Sequence, residues 1–177
     1  MKLLSIAVIF VFSLPAKAQY YYTDILARQQ GDKQYMLLIK NNIKVVTANS
    51  FNADGSEAAG FLLQQDIDAV HGEIKTSSAL AAEGASESVS TYRNNHIVHA
   101  TVSGGNIFTE INYEYDEGYN VTKISTVIVD TFMNTRSDEL HQWIYANGKP
   151  VRMLLIKNST DTTIAEFQED GSGELFT

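Results

Sequence analysis

The chain has 177 residues, 44% of them hydrophobic, with 13 Lys and Arg against 21 Asp and Glu for a formal charge of −8. This excludes a chain disordered by polarity, and an acidic balance without a basic cluster excludes nucleic acid as a partner, because phosphate contacts need Lys and Arg. The absence of cysteine excludes disulfides, thiolate metal sites, a cysteine nucleophile and a lipidated N-terminal cysteine.

Taken in chain order, residues 1–18 read as a secretory signal: Lys2, an apolar run from Leu3 to Leu14, then Ala16-Lys17-Ala18 as the cleavage site. The run is too short to span a bilayer comfortably. Cleavage before Gln19 removes two lysines and takes the charge to −10; Pro150 is then the one remaining proline. The expected product is an exported, periplasmic or extracellular chain, not lipidated and not inserted in the membrane, with one core over residues 19–177. Residues 22–30 fit a strand or a short helix, since Ile25 and Leu26 suit either.

Residues 36–41, Met-Leu-Leu-Ile-Lys-Asn, recur identically at 153–158. Phe51, Asp54, Gly55, Ser56 and Phe61 follow the first copy as Phe167, Asp170, Gly171, Ser172 and Phe176 follow the second. Internal repetition of this kind predicts a duplicated unit, in each case an apolar strand, a polar turn, a second strand, an Asp-Gly turn and a third strand. The halves are 19–75 and 91–177. Between them, 76–90 is irregular: Ser77 to Ser90 is rich in Ala, Ser and Glu and reads as a long loop, a short helix or a degraded strand pair around Gly84.

Turns are predicted at Asp54-Gly55, Asp116-Glu117-Gly118, Asn147-Gly148 and Asp170-Gly171, because these residues enter positive φ at little steric cost. Between turns the period is two. In Glu110 to Asp116 the apolar Ile111, Tyr113 and Tyr115 alternate with acidic and amide residues, as on a sheet wet on one face, and Ile43, Val45 and Thr47 alternate with Lys44 in the same way. Val121 to Val129 is rich in β-branched residues and predicts a strand. The fold class is therefore mainly β, an antiparallel sheet of repeated hairpins in a single curved sheet or meander, with the signal helix cleaved off.

The segment Tyr113-Glu114-Tyr115-Asp116-Glu117-Gly118-Tyr119-Asn120-Val121-Thr122-Lys123-Ile124 resembles the YD repeat unit of RHS-type proteins, and Trp143 to Met153 resembles a MORN-type hairpin. The match lies mainly in residues 91–177; its glycine follows the aspartate by two residues, where the family unit has three. The resemblance implies an exported bacterial β-repeat architecture and says little of chemistry.

Candidate chemistry is sparse. His96 and His99 are three apart, but Ile97, Val98, Thr101 and Val102 favour a strand, where that separation sends them to opposite faces. His141 alternates with Trp143 and Tyr145 as part of an aromatic row, and His71 has no identifiable partner. Gly84-Ala85-Ser86-Glu87-Ser88 lacks the last glycine of a nucleophile elbow. The paired acids Asp66 and Asp68, or Glu169 and Asp170, need a pocket to separate their pKa values. Asn52, Asp54 and Ser56 fall short of a calcium-ligand ladder, and Asn120-Val121-Thr122 and Asn158-Ser159-Thr160 are bare three-residue glycosylation patterns. No cofactor is implied.

Aromatic residues are the remaining signal. Tyr20, Tyr21, Tyr22, Trp143 and Tyr145 are candidates for gripping a protein or glycan, while Phe51, Phe61, Phe167 and Phe176 fit the space between hairpins. The expected function is a non-enzymatic structural or interaction module with an unidentified protein or glycan partner, and edge strands open to self-association. The alternatives are a small-ligand carrier with a half-barrel sheet, or a glycan hydrolase using carboxylates from separate hairpins.

Overall fold

A computed structural model describes residues 16–80, 84–169 and 175–176, with side chains from Thr23 to Gln168 apart from Leu80. One helix, α1 (Ala16–Lys40), precedes β1 (Val45–Ala48), β2 (Leu62–Asp68), β3 (Glu73–Leu80), β4 (Gly84–Arg93), β5 (His96–Gly104), β6 (Ile107–Tyr115), β7 (Val121–Asp130), β8 (Thr135–Ala146), β9 (Lys149–Lys157) and β10 (Asp161–Glu166). These ten strands form one open antiparallel meander in chain order, each pairing with the next. The short β11 (Gln168–Glu169) and β12 (Leu175–Phe176) pair separately.

The hairpin chemistry follows the sequence at several turns. Asn147 and Gly148, at φ 52° and 76°, close β8 on β9 between Ala146 and Lys149, the two-residue turn that strand twist favours. Asn94 and Asn95 do the same between Arg93 and His96, also with positive φ. After Asp116, however, Tyr119 takes the positive φ, at 60°, and Gly118 does not. The Asp116 carboxylate accepts from the amides of Gly118 and Asn120 and so holds the loop itself. Gly72 is required sterically: at φ 71°, a Cβ there would lie 2.5 Å from the Tyr92 carbonyl oxygen.

Alternation sorts the sheet into two faces. Ile111, Tyr113 and Tyr115 of β6 point inward toward the helix, as the period-two pattern predicts. Ile74, Ala100, Ile124 and Leu155 are buried on the same inner face. The core has two centres. Ile25 packs with Val121, Ile124, Trp143, Met153, Leu155, Ala165 and Phe167; Tyr35 packs with Ile67 and Ile74, its ring stacked on Tyr92 at 4.0 Å.

Three expectations are corrected. Met36 to Lys40 is the last stretch of α1, whereas Met153 to Lys157 is strand β9, so the identical hexapeptides are not equivalent units. Phe51 is exposed in a small turn while Phe167 is buried, which removes a second equivalence. Residues 76–80 and 84–90 are not irregular but complete β3 and β4, the strand-pair alternative around Gly84, whose φ is 83°. The 22–30 ambiguity resolves as helix. The segment 23–40 is proline-free and dominated by residues of good helix propensity. Residues 1–15, with Asp170 and Gly171, lie outside the described residues; α1 begins at Ala16, within the last three residues of the expected signal, and most of it follows the expected cleavage point.

Candidate functional site

The inward stripe of α1 runs Ile25, Arg28, Asp32, Tyr35 and Ile39, at steps of three and four that put all of them on one face. Two of those five positions are charged. Asp32 is only 4% exposed. Its carboxylate is saturated by donors: Arg28 Nη1 at 2.8 Å, the Ile97 backbone amide at 3.0 Å, and His96 Nδ1 at 2.8 Å. Arg28 also lies over the Tyr115 ring at 5.4 Å, and Tyr115 donates its hydroxyl to the Ile97 carbonyl. Tyr119, in its positive-φ turn, stacks on His96 at 4.5 Å. A buried ion pair of this sort is held by its geometry, since unpairing it strands a charge in low dielectric.

A second polar tie lies nearer the start of the helix. His141 of β8 meets the Asp24 carboxylate at Nδ1 and the Glu139 carboxylate at Nε2, the latter at 2.7 Å. Behind Glu139, Lys157 Nζ of β9 approaches its other oxygen at 3.1 Å. Burial disfavours the charged imidazole, yet the two carboxylates outweigh it and raise the His141 pKa above its ordinary value. Burial likewise opposes ionisation of Glu139, but its bonds from Lys157 and His141 hold the carboxyl below the usual range. Burial, reinforced by the Asp24 and Asp32 charges, pushes the Tyr113 hydroxyl up; burial and Asp32 push Tyr92 to about 12.

The two ties cross-link α1 to strands three apart in the sheet. Asp24 and Asp32 are separated by about 12 Å of helix at 1.5 Å per residue, and β5 and β8 by about 14 Å at the usual strand spacing. The near match means that the helix axis runs across the strands and spans several of them.

The sequence-predicted residues distribute unevenly. Trp143 is 3% exposed and stacks on Phe167; Tyr145 donates to the Val121 carbonyl at 3.0 Å, so both are core members and neither presents a gripping surface. The side chains of Tyr20, Tyr21 and Tyr22 lie outside the described residues. His96 and His99 do face apart: His96 meets Asp32 on the helix side, while His99 bonds Asn112 at 2.9 Å. His141 shares the inner face with Trp143 as expected but is tied to Asp24 and Glu139 and is not an aromatic-row member. His71 has a partner after all, Asp68 at 2.7 Å, both exposed. Asp54 and Asp116 serve their own turns, each carboxyl lowered by hydrogen bonds from nearby turn residues. Sequence reasoning missed Asp24, Arg28 and Asp32 entirely. Their spacing of four on an otherwise ambiguous segment was the available signal.

The outer face of the sheet changes character along one register row. His99, Asn112 and Ser125 give way to Leu140 and Ile156. Next to them Leu154 pairs with Ile164, which is 57% exposed, and the neighbouring Ile144 and Val151 are exposed as well. Arg152 and Glu166 pair at 2.7 Å beside this apolar area. A depression of about 290 Å3 lined by Ile144, Val151, Arg152, Glu166, Phe167 and Gln168 opens there. Among the described residues β10 is a terminal strand of the sheet, no group of three or more His, Asp or Glu is arranged to hold a metal ion, and no helix is long and apolar enough to cross a membrane. Comparison with known proteins returned no match: no family model fits the chain, and no curated protein or solved structure is significantly similar to it.

Proposed function

We propose that the protein is an exported, non-enzymatic interaction module that binds a protein partner through the outer face of β8–β10 and the adjoining β10 edge. The observation that carries this reading is the apolar surface made by the exposed Ile144 and Ile164 with the half-buried Leu154 and Ile156, flanked by the Arg152–Glu166 pair. An antiparallel sheet ordinarily turns a polar face to water, and contiguous apolar surface with a polar rim marks an interaction site. An edge strand adds unpaired backbone groups that a partner strand completes. Export rests on the signal pattern of residues 1–18, an RHS-type ancestry on the Tyr113–Ile124 motif and a MORN-type one on Trp143 to Met153; all of these belong to the proposal.

The rival readings find less support. A carrier would use the inner face as its cavity, but α1 packs onto that face. A hydrolase would need a free pair of carboxylates, and Asp24 and Glu139 are each bound to His141.

A photo-crosslinking residue at position 164, compared with one at Glu114 on the polar part of the outer face, tests the reading in the source cells. A discrete crosslinked protein at 164 alone, lost on Arg152→Glu, is the expected result. Equal labelling at both positions would overturn it, and N-terminal sequencing that finds residue 1 retained would overturn export.

A further inference from the structure

The two ties that hold α1 to the sheet make different demands on their histidines. His96 meets one carboxylate, Asp32, through Nδ1 alone. A neutral imidazole protonated at Nδ1 satisfies that contact. His141 has a carboxylate on each ring nitrogen, Asp24 on one side and Glu139 on the other. A neutral imidazole carries a single N–H, so it can donate to one of the two and must turn a lone pair toward the other. Full satisfaction of the His141 site therefore requires the imidazolium.

The Asp32 tie begins at Arg28, whose guanidinium is bound to Asp32 and lies over the Tyr115 ring. The part of α1 before Arg28 is held instead by the His141 site and by the packing of Ile25.

We propose that α1 is a proton-gated strap: with His141 charged the whole helix lies on the sheet, and on deprotonation the segment before Arg28 lifts while Arg28, Asp32, Tyr35 and the rest of the helix stay docked. Among the described residues, the charged and titratable groups around His141 include Asp24 on α1, Glu139 on β8, Lys157 on β9 behind Glu139, and the Tyr113 hydroxyl on β6, which feels the Asp24 charge. Arg28 and Asp32 follow along the helix and compensate each other. Loss of the imidazolium charge leaves Asp24 and Glu139 facing a ring that can serve only one of them, with Lys157 on Glu139. Asp24, the partner on the helix, is the one released. Lifting the segment withdraws Ile25 from Trp143, Val121, Ile124 and Leu155 and opens an apolar trough on the inner face of β7–β9.

Trp143, the single tryptophan, reports this directly because it is buried in the same cluster as Ile25. In the intact chain, a titration from pH 5 to pH 9 should red-shift its emission. Hydrogen exchange corrected for intrinsic rates should show lost protection over residues 19–27, with 32–40 and the strands still protected. The docking equilibrium should move roughly ten-fold for each unit by which docking raises the His141 pKa. His141→Gln and Asp24→Asn should both flatten the transition, Asp24→Asn because a carboxamide can accept from or donate to either tautomer. His96→Gln should leave a transition in place. The proposal fails if emission and protection over 19–27 are constant across the range. It also fails if the strands lose protection together with the helix, or if the transition survives in His141→Gln or, where that variant does not fold, in Asp24→Asn.

Discussion

Residues 36–41 and 153–158 are the same six amino acids in two conformations, the end of α1 and the body of β9. The difference is made by what precedes and covers each copy. Before Met36 lies a proline-free stretch of helix whose Asp32 and Tyr35 are already anchored to β5 and β4. Before Met153 lie the Asn147-Gly148 turn and Pro150, which has no amide hydrogen for a helix and starts an extended segment instead. As a strand, Met153 and Leu155 go inward and are buried; as a helix, Leu38 and Ile39 turn inward and Met36 and Leu37 are left exposed. Both copies stop at a left-handed backbone position. Asn42, at φ 54°, closes α1 with the Ile43 amide on the Leu38 carbonyl and its own amide on Ile39, the Schellman pattern, while Asn158 and Ser159 open the β9–β10 turn. Local composition thus supplied an apolar segment with a stop, and long-range context chose its period.

The comparison can be broken most severely at Asp32. Asp32→Ala leaves Arg28 buried without its carboxylate and should cost about 3–5 kcal/mol, measured by denaturant unfolding; amide protection should fall over 36–40 well before it falls over 153–157. A cost under about 1 kcal/mol would mean that the first copy is helical on its own account.

The matched pair comes next. Met153 is 1% exposed and Met36 is 41% exposed. Met153→Ala should cost about 2–5 kcal/mol through lost burial and the cavity left behind, while Met36→Ala should stay within about 0.5 kcal/mol of the parent. Equal costs would contradict the different environments of the two copies.

A smaller effect is expected at the shared stop. Asn42→Val forces a β-branched residue into positive φ and should cost about 1–2 kcal/mol, whereas Asn41→Val, still within the helical turn, should cost less than half as much. Global stability should also fall modestly with pH around His141. Its folded pKa is raised, so its contribution is complete below the ordinary histidine value, declines between that value and the raised one, and is lost above it. Chemical denaturation across that window should show the decline in the parent and a shallower one in His141→Gln, where the exposed His71–Asp68 pair still titrates. At the alkaline end the buried hydroxyls of Tyr35, Tyr92 and Tyr113 carry raised pKa values, so stability lost above the ordinary tyrosine range should reappear in part in Tyr92→Phe.

The hairpin meander was legible where two local signals agreed. Around Asn147-Gly148, positive-φ turn residues sit between apolar runs, and over Glu110 to Tyr115 the alternation is clean because one face is wet and the other packed. Ser77 to Ser90 was not legible, since β3 and β4 there are built from Ser, Thr and Ala whose strand pairing rests on neighbours and not on burial of large side chains. The candidate site was the least legible part. Arg28 and Asp32 occupy the inward face of α1, and polar residues in the buried stripe erase the apolar periodicity by which a docked helix is recognised. Only His96 and the Ile97 amide, arriving from β5, make those positions tolerable.

By itself the sequence determined the local elements: acidic wet faces, positive-φ turns, β-branched strands, and an absence of cysteine that leaves packing to hold them. These are set by interactions within a few residues, where side-chain shape and backbone preference act directly. The tertiary structure alone decided which copy of the hexapeptide would be helix and where the charges of α1 would find partners. Such choices depend on groups 64 to 117 residues away, as in the pairs Asp32–His96 and Asp24–His141, and a buried charge is affordable only once those distant donors have been brought beside it.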